Sequence, residues 1–373
     1  MSLRSYKTIK ERSLFISQET GANIDSINTA FNDIETNVHC ENLVGAVTVP
    51  LGIAGPIKIN GGHTRMSVYI PLATTEGALV ASVNRGCKVI GLADGASVVV
   101  DRTGMTRGPV FEVKNLEDQQ RLRAWIYEHE KEIAHSAQRT STHLKFKKAT
   151  VSAVGLYVYT RFYFNTEDAM GMNMVTIATE NIVTLIENQT GIRCIAVAGN
   201  YDIDKKPAWL NFINNRGFAG WGEVVLSKDI VHKYLKSTPE KMFDVWLSKC
   251  MIGSAMSGSL GFNCHYANII SALYIATGQD PAHVVEGSMG ITTMKIVSGG
   301  ALYVSVYLPA IIVGTVGGGT ILKTQTEALN ITKTKKSEEF AEVVVGAVLA
   351  GELSLLASIS EGSLGKVHSS LGR

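Results

Sequence analysis

The chain lacks the two glycine signatures that mark most nucleotide-binding folds. Its 373 residues contain no G-x-G-x-x-G and no G-x-x-x-x-G-K-[ST], which excludes a Rossmann turn and a P-loop. Cysteine is scarce and scattered: Cys40, Cys87, Cys194, Cys250 and Cys264 include no C-x-x-C pair. That argues against a zinc knuckle and a disulfide framework and implies a reducing, cytoplasmic setting. Net charge is only +2, too little to argue for nucleic acid as a partner. The first twelve residues are polar and basic with no apolar core following, so no signal peptide is expected. The long uncharged run 296–322 is broken by Gly299, Gly300, Pro309, Gly314, Gly317, Gly318 and Gly319. It reads as buried strands joined by glycine turns rather than as a membrane span. The segments 257–261 and 361–365 each lack the first glycine of a G-x-S-x-G elbow, which weakens a serine hydrolase built on Ser259 or Ser363.

What is present is a well-packed globular composition, 45% hydrophobic and 18% charged, long enough for two domains. Residues 1–40 read as helices and turns. Residues 109–198 alternate as strand 110–113, helix 116–134, strands 146–153 and 156–164, helix 168–187 and strand 192–198. That βαββαβ order predicts a small ferredoxin-like domain inserted into a larger mixed α/β one formed by 41–108 and 199–373, an α+β protein. Helices are also predicted over 75–90, 258–276 and 338–359, the last apolar nearly all round and therefore buried.

The candidate chemistry sits in separate segments. In Gly199-Asn200-Tyr201-Asp202-Ile203-Asp204-Lys205-Lys206-Pro207, two lysines follow two carboxylates in a punctuated loop, where a lysine stays charged and can steady an oxyanion. Glu76 opens the 75–90 helix on the side of Leu79, Val83 and Cys87, where poor solvation would suit a general acid. Arg85 and Lys88, on the other side, are spaced to clamp phosphates. Asp168-Ala169-Met170-Gly171-Met172-Asn173-Met174 starts a helix whose N-terminus favours an anion such as a pyrophosphate. Arg139 and Ser141, with Lys145, Lys147 and Lys148, suit a 2′-phosphate. Asp280 ends an apolar helix carrying His265 and Asn268 and could orient a lysine. His368, on a glycine-hinged tail, could close over a site as a proton donor.

Taken together, the blocks ENLVGAVTVPLGIAGP (41–56), TTEGALVASVNRG (74–86), GMTRGPV (104–110), DAMGMNM (168–174), GNYDIDKKPAW (199–209), GQD (278–280), GTVGGGT (314–320) and AGELSLLA (350–357) resemble the hydroxymethylglutaryl-CoA reductase family. Met172 and Met174 look like its class I version, in a form without a membrane anchor. The resemblance implies reduction of hydroxymethylglutaryl-CoA (HMG-CoA) to mevalonate and free CoA with two NADPH and no metal, at a site formed between subunits. A homodimer is the smallest unit implied, with a tetramer left open, and no nucleic acid or membrane partner. It implies that Lys205 steadies the oxyanion, Glu76 supplies a proton, Asp280 links the two and His368 protonates the departing thiolate. Arg107, Asp204 and Lys206 would surround the hydroxymethylglutaryl part, Asn268 would support the lysine and substrate, and Arg85 and Lys88 would meet CoA phosphates. Residues 168–174 would line the nicotinamide cofactor. Three positions depart from the pattern: Ala198 and Val367 each replace a serine, and Thr142 replaces an arginine that reads the 2′-phosphate. NADH therefore stays open as a hydride donor. An acyl-CoA hydrolase and a non-catalytic CoA- or nucleotide-binding protein are the competing readings.

Overall fold

The computed structural model describes residues 7–20 and 40–362. Its strands are β1 (Leu51–Gly61), β2 (Arg65–Ala73), β3 (Ala96–Arg107), β4 (Val110–Glu112), β5 (Lys145–Val154), β6 (Tyr157–Asn165), β7 (Arg193–Ala196), β8 (Arg216–Leu226), β9 (Ile291–Ile296) and β10 (Leu302–Ile311). β3 organises the whole. Its first part, Ser97 to Gly104, pairs antiparallel with β8. Its last three residues, Met105 to Arg107, pair instead with β6. One strand thus passes from one set of strands into another.

On the far side of that passage the antiparallel order is β7-β4-β6-β5. This is the ferredoxin-like arrangement that the βαββαβ alternation predicts. The expected 116–134 helix is two helices, Leu116–Glu128 and Glu130–Gln138, separated at His129. The His129 ring stacks on Trp125 with centroids 4.5 Å apart. A hydrophobic cluster including Phe111, Ile126, Phe162, Val175 and Ile186 fills this part.

On the near side, alternating inward residues of β1, β2, β3, β8 and β10 pack against the helices Leu79–Leu92, Tyr266–Thr277 and Ser337–Glu361. Leu79, Val83, Cys87 and Ile90 recur at helical spacing on the buried face. Burial pushes the Cys87 thiol up to about 12. Gly86 lies where this helix crosses Ser337–Glu361; a Cβ there would stand 1.9 Å from the Ala350 carbonyl oxygen. The run 296–322 contains β10 and glycine-rich turns, as its punctuation predicts.

Two near-side helices begin later than expected. The 75–90 helix begins only at Leu79, because Thr74 Oγ1 accepts the Glu76 N–H at 3.0 Å and holds a turn there. The 258–276 helix begins only at Tyr266, because Gly258 is left-handed at φ 68° and Ser259 turns back on Gly261. Ser337–Glu361 is long and apolar enough to cross a membrane, but 83% of its apolar window is buried inside the protein. Its two mid-helix carboxylates are buried and occupied: Glu342 accepts the N–H groups of Gly62, His63 and Thr64, and Glu352 those of Cys264 and His265.

Candidate active site

Lys205 stands in a loop whose backbone is unusual. Asn200, Ile203 and Lys205 all have positive φ, at 63°, 59° and 55°. Left-handed non-glycine residues cost about 1 kcal/mol or more each and persist only where neighbours over-determine them. Here the Lys205 N–H donates to Glu286 Oε1 at 3.2 Å. Its ammonium lies 2.6 Å from Asp280 Oδ2, and Asp280 Oδ1 accepts the Ala282 N–H at 3.0 Å. Desolvation would raise the Asp280 carboxyl, but the hydrogen bonds from Lys205 and Ala282 outweigh it and hold the group below its ordinary range. The lysine therefore keeps a permanent counter-charge while still 39% exposed.

Lys205 and Asp280 form one wall of a cavity of about 680 Å³. Met170, Gly171, Asn173 and Met174 form another. Gly171, at φ 86°, caps the helix Met172–Thr190, so the segment Asp168–Gly171 precedes the helix rather than opening it. The floor is the glycine turn 317–320. It approaches so closely that a Cβ on Gly278 would stand 2.3 Å from the Gly319 carbonyl oxygen. Gln279 joins these loops, its side-chain amide both donating to the Gly314 carbonyl (3.0 Å) and accepting the Gly314 N–H (2.9 Å).

Glu76 lies elsewhere in the same chain, on a second cavity of about 480 Å³ shared with Arg85, His265 and Asn268. Within one chain, Glu76 and Lys205 thus line different cavities. Glu76 is half-buried rather than enclosed, and it accepts a hydrogen bond from Asn268 Nδ2 at 2.7 Å. Asn268 belongs to Tyr266–Thr277, whose start is held by Glu352. Glu352 accepts from Cys264 N (2.9 Å), His265 N (2.8 Å) and Thr292 Oγ1 (2.6 Å).

Other expected site residues are committed within the protein. The Asp168 carboxylate does not line the methionine cavity; its Oδ1 accepts the N–H and hydroxyl of Ser337, capping the last helix. Arg107 is turned to Asp202 (3.0 Å) and to Thr176 Oγ1, donating from Nη2 at 2.7 Å, so its charge is already met. Asp204 pairs with Arg216 at 2.9 Å, and Lys206 is exposed, donating to the Asp204 carbonyl. Arg85 and Lys88 do not form a clamp. Because Glu76 precedes the helix, helical phase does not separate it from Arg85, which shares its cavity and donates to Ser354 and Ser358. Lys88 lies over the Tyr234 ring instead. Arg139, exposed at a helix end, and Ser141, which accepts the His143 N–H, lie off the methionine cavity. Of the lysines beside them, Lys145 meets Glu167, Lys147 donates to backbone carbonyls of Arg102 and Thr103, and Lys148 lies over Tyr163. Ser259 is held in its own turn with Gly261. His368 and Ser363 lie outside the described residues.

Five residues not singled out as site candidates complete the picture: Arg216, Gln279, His283, Glu286 and Glu352. All are buried polar groups. The available signal was a charged or amide residue inside an apolar stretch, where burial demands a partner.

A family model described as hydroxymethylglutaryl-coenzyme A reductase matches residues 8–373. A 3-hydroxy-3-methylglutaryl-coenzyme A reductase of Methanothermobacter thermautotrophicus is 45% identical over 373 residues, covering 98% of this chain and 94% of the relative. The enzyme of that name from Methanocaldococcus jannaschii is 50% identical over 342 residues, covering 89% of this chain and 84% of the relative. A solved class II 3-hydroxy-3-methylglutaryl-CoA reductase from Streptococcus pneumoniae, bound to NADPH in open conformations, superposes with a TM-score of 0.71. It is 16% identical, covers 95% of this chain and 98% of its own, and is alike in fold.

Proposed function

The chain belongs to the hydroxymethylglutaryl-coenzyme A reductase family, and on that premise we propose that it reduces HMG-CoA to mevalonate and CoA with NADPH. The observation that carries the reading is the Lys205 ammonium, held by Asp280 at 2.6 Å on the edge of the methionine cavity. That cavity suits a dinucleotide: a helix N-terminus faces anions, and the soft side chains of Met170 and Met174 can pack on a flat ring. The Thr142 substitution bears on NADPH against NADH, and NADPH is the expected donor.

NADPH would supply hydride twice, first to the thioester carbonyl carbon and then to the aldehyde. Each time negative charge gathers on the carbonyl oxygen, and a fixed ammonium is the group that stabilises it. Asp280 holds that ammonium in place. Glu76 gives the proton that turns the oxyanion into a hydroxyl, with Asn268 fixing its carboxylate. When the carbon–sulfur bond of the hemithioacetal breaks, its hydroxyl proton returns to Glu76 as the aldehyde forms, and His368 protonates the thiolate and prevents recombination. Arg85, on the Glu76 cavity, reaches the CoA phosphates.

In this reading Glu76 of one copy meets Lys205 of another, so a homodimer is the working unit. The separation of the two residues within one chain supports it. Residues 109–198 serve as the cofactor part and 41–108 with 199–373 as the substrate part. The methionine motif, Met172 and Met174, supports a class I reading. Five free thiols suit the cytoplasm.

The test mixes the protein with HMG-CoA and NADPH and follows cofactor oxidation and thiol release together. Two cofactors oxidised per thiol freed is the expected result. Thiol release without cofactor oxidation would replace the reductase by a hydrolase.

A further inference from the structure

Behind the Lys205–Asp280 pair lies a set of polar residues with no part in the chemistry so far. Arg216, His283 and Glu286 are each fully buried. One oxygen, Glu286 Oε1, accepts from three donors: Arg216 Nη1 at 2.7 Å, His283 Nδ1 at 2.8 Å and the Lys205 N–H at 3.2 Å. Arg216 spends its other donors on Asp204 Oδ1 (2.9 Å), Thr106 Oγ1 (3.0 Å) and Met172 Sδ (3.0 Å). It thereby touches β3, the lysine loop and the first residue of the helix beside the methionine cavity. Asp204, His283 and Glu286 would suit a metal ion by spacing, but the guanidinium already supplies the positive charge between the two carboxylates. The remaining His283 nitrogen, Nε2, lies 3.8 Å from Asp280 Oδ2 and has no hydrogen-bond partner among the described residues. The other Glu286 oxygen, Oε2, has none either.

We infer that Glu286 and His283 are positioning residues for the Lys205–Asp280 pair. Glu286 fixes the backbone of Lys205 in its left-handed conformation. His283, held to Glu286 through Nδ1, sets its ring against the back of Asp280, with Nε2 3.8 Å from Oδ2, so both members of the pair are located from one buried oxygen. The inference deepens the reductase reading, which supplies the turnover used to measure it. It also makes a claim about Lys205 that needs no turnover.

Two pairs of variants test it: His283→Ala with His283→Asn, and Glu286→Ala with Glu286→Gln. Asparagine can keep the donor to Glu286. Glutamine can keep an acceptor at the Oε1 place, and its NH2 falls where Oε2 has no partner. Each alanine variant is expected to lower kcat about tenfold or more while KM changes less than about twofold, the signature of misplacement in the transition state. Each conservative variant is expected to restore kcat to within about threefold of the parent. In parallel, the rate at which an amine-directed acylating reagent labels Lys205, read by peptide mass spectrometry, should rise in the alanine variants and return in the conservative ones. Should an alanine variant fail to fold, the other pair carries the comparison. Unchanged kcat and unchanged labelling in a folded alanine variant would overturn the inference. So would a kcat loss that its conservative partner does not repair. A parent without cofactor oxidation would remove the reductase reading, and the labelling rates would still decide the positioning role.

Discussion

Glu352 and Glu286 are both fully buried carboxylates standing one step behind a functional residue, yet they hold different things. Glu352 accepts from two backbone N–H groups and a threonine hydroxyl, all neutral. It secures the start of a regular helix, and the helix then carries Asn268 and through it Glu76. Its charge is felt locally. Burial, joined by that charge, pushes the Tyr266 hydroxyl well above its ordinary value. For Cys264, a hydrogen bond with Cys250 does most, with burial and Glu352 adding to it. Glu286 instead meets a guanidinium, an imidazole and the backbone of a left-handed residue. The difference is one of scaffold. A group on a helix is placed by the helix, so one acceptor at its end suffices. A group on a strained loop has no such support and needs a charged network to define its place. The Glu76 half should therefore fail by losing structure, and the Lys205 half by losing alignment.

The largest expected effect is Lys205→Ala. Removing the ammonium should lower kcat by about a thousandfold, the scale seen when a preorganised oxyanion partner is lost. Circular dichroism and melting temperature should stay near those of the parent. A large fall in melting temperature would break the contrast between the two halves. Next comes Glu352→Ala. It leaves two amides and a hydroxyl without their acceptor, so urea unfolding should show a loss of about 3 kcal/mol. A stable variant with collapsed kcat would reverse the assignment of roles.

A third experiment uses the separation of the halves. Inactive Lys205→Ala and Glu76→Gln chains, co-expressed in equal amounts, should recover about a quarter of parental activity. In a two-fold dimer one of the two sites in each mixed pair is then intact. No recovery in a verified mixed dimer would place both residues in one copy's site. The smallest effect concerns pH. The folded Asp280 carboxyl is held below its ordinary value, so its contribution to stability is complete above about pH 4 and is lost as pH falls through the lower folded value. The stability difference between parent and Asp280→Asn should accordingly shrink on acidification. A difference independent of pH would show that the pair does not act through charge.

Much of this was legible in the sequence because it is carried by local punctuation. Lys205 and Asp280 each lie in a short polar segment bounded by glycine and proline, 199–207 and 278–281, and their side chains meet. The βαββαβ order follows from alternating apolar runs, which local spacing records. The remainder depends on long-range partners. Asp168 looks like a cofactor residue until Ser337, far along the chain, claims its carboxylate. Glu286 sits in a short helical segment with no periodicity, and Arg216 begins a strand like any other. Nothing local indicates that three buried polar side chains, Arg216, His283 and Glu286, will converge. The late starts of two helices, at Leu79 and Tyr266, were missed because a threonine hydroxyl and a serine turn compete with the helix for the same amides.

The helix Ser337–Glu361 is the last element described, and the earlier parts of the chain wait for it. Glu342 caps the β1–β2 loop, Glu352 the 266–277 helix, Ser337 meets Asp168, and Ser354 meets Arg85. During synthesis, all of these segments leave the ribosome before their partner exists. The near-side core therefore closes only after translation has passed residue 361, and before that point the inward faces of its strands lack the helix that covers them.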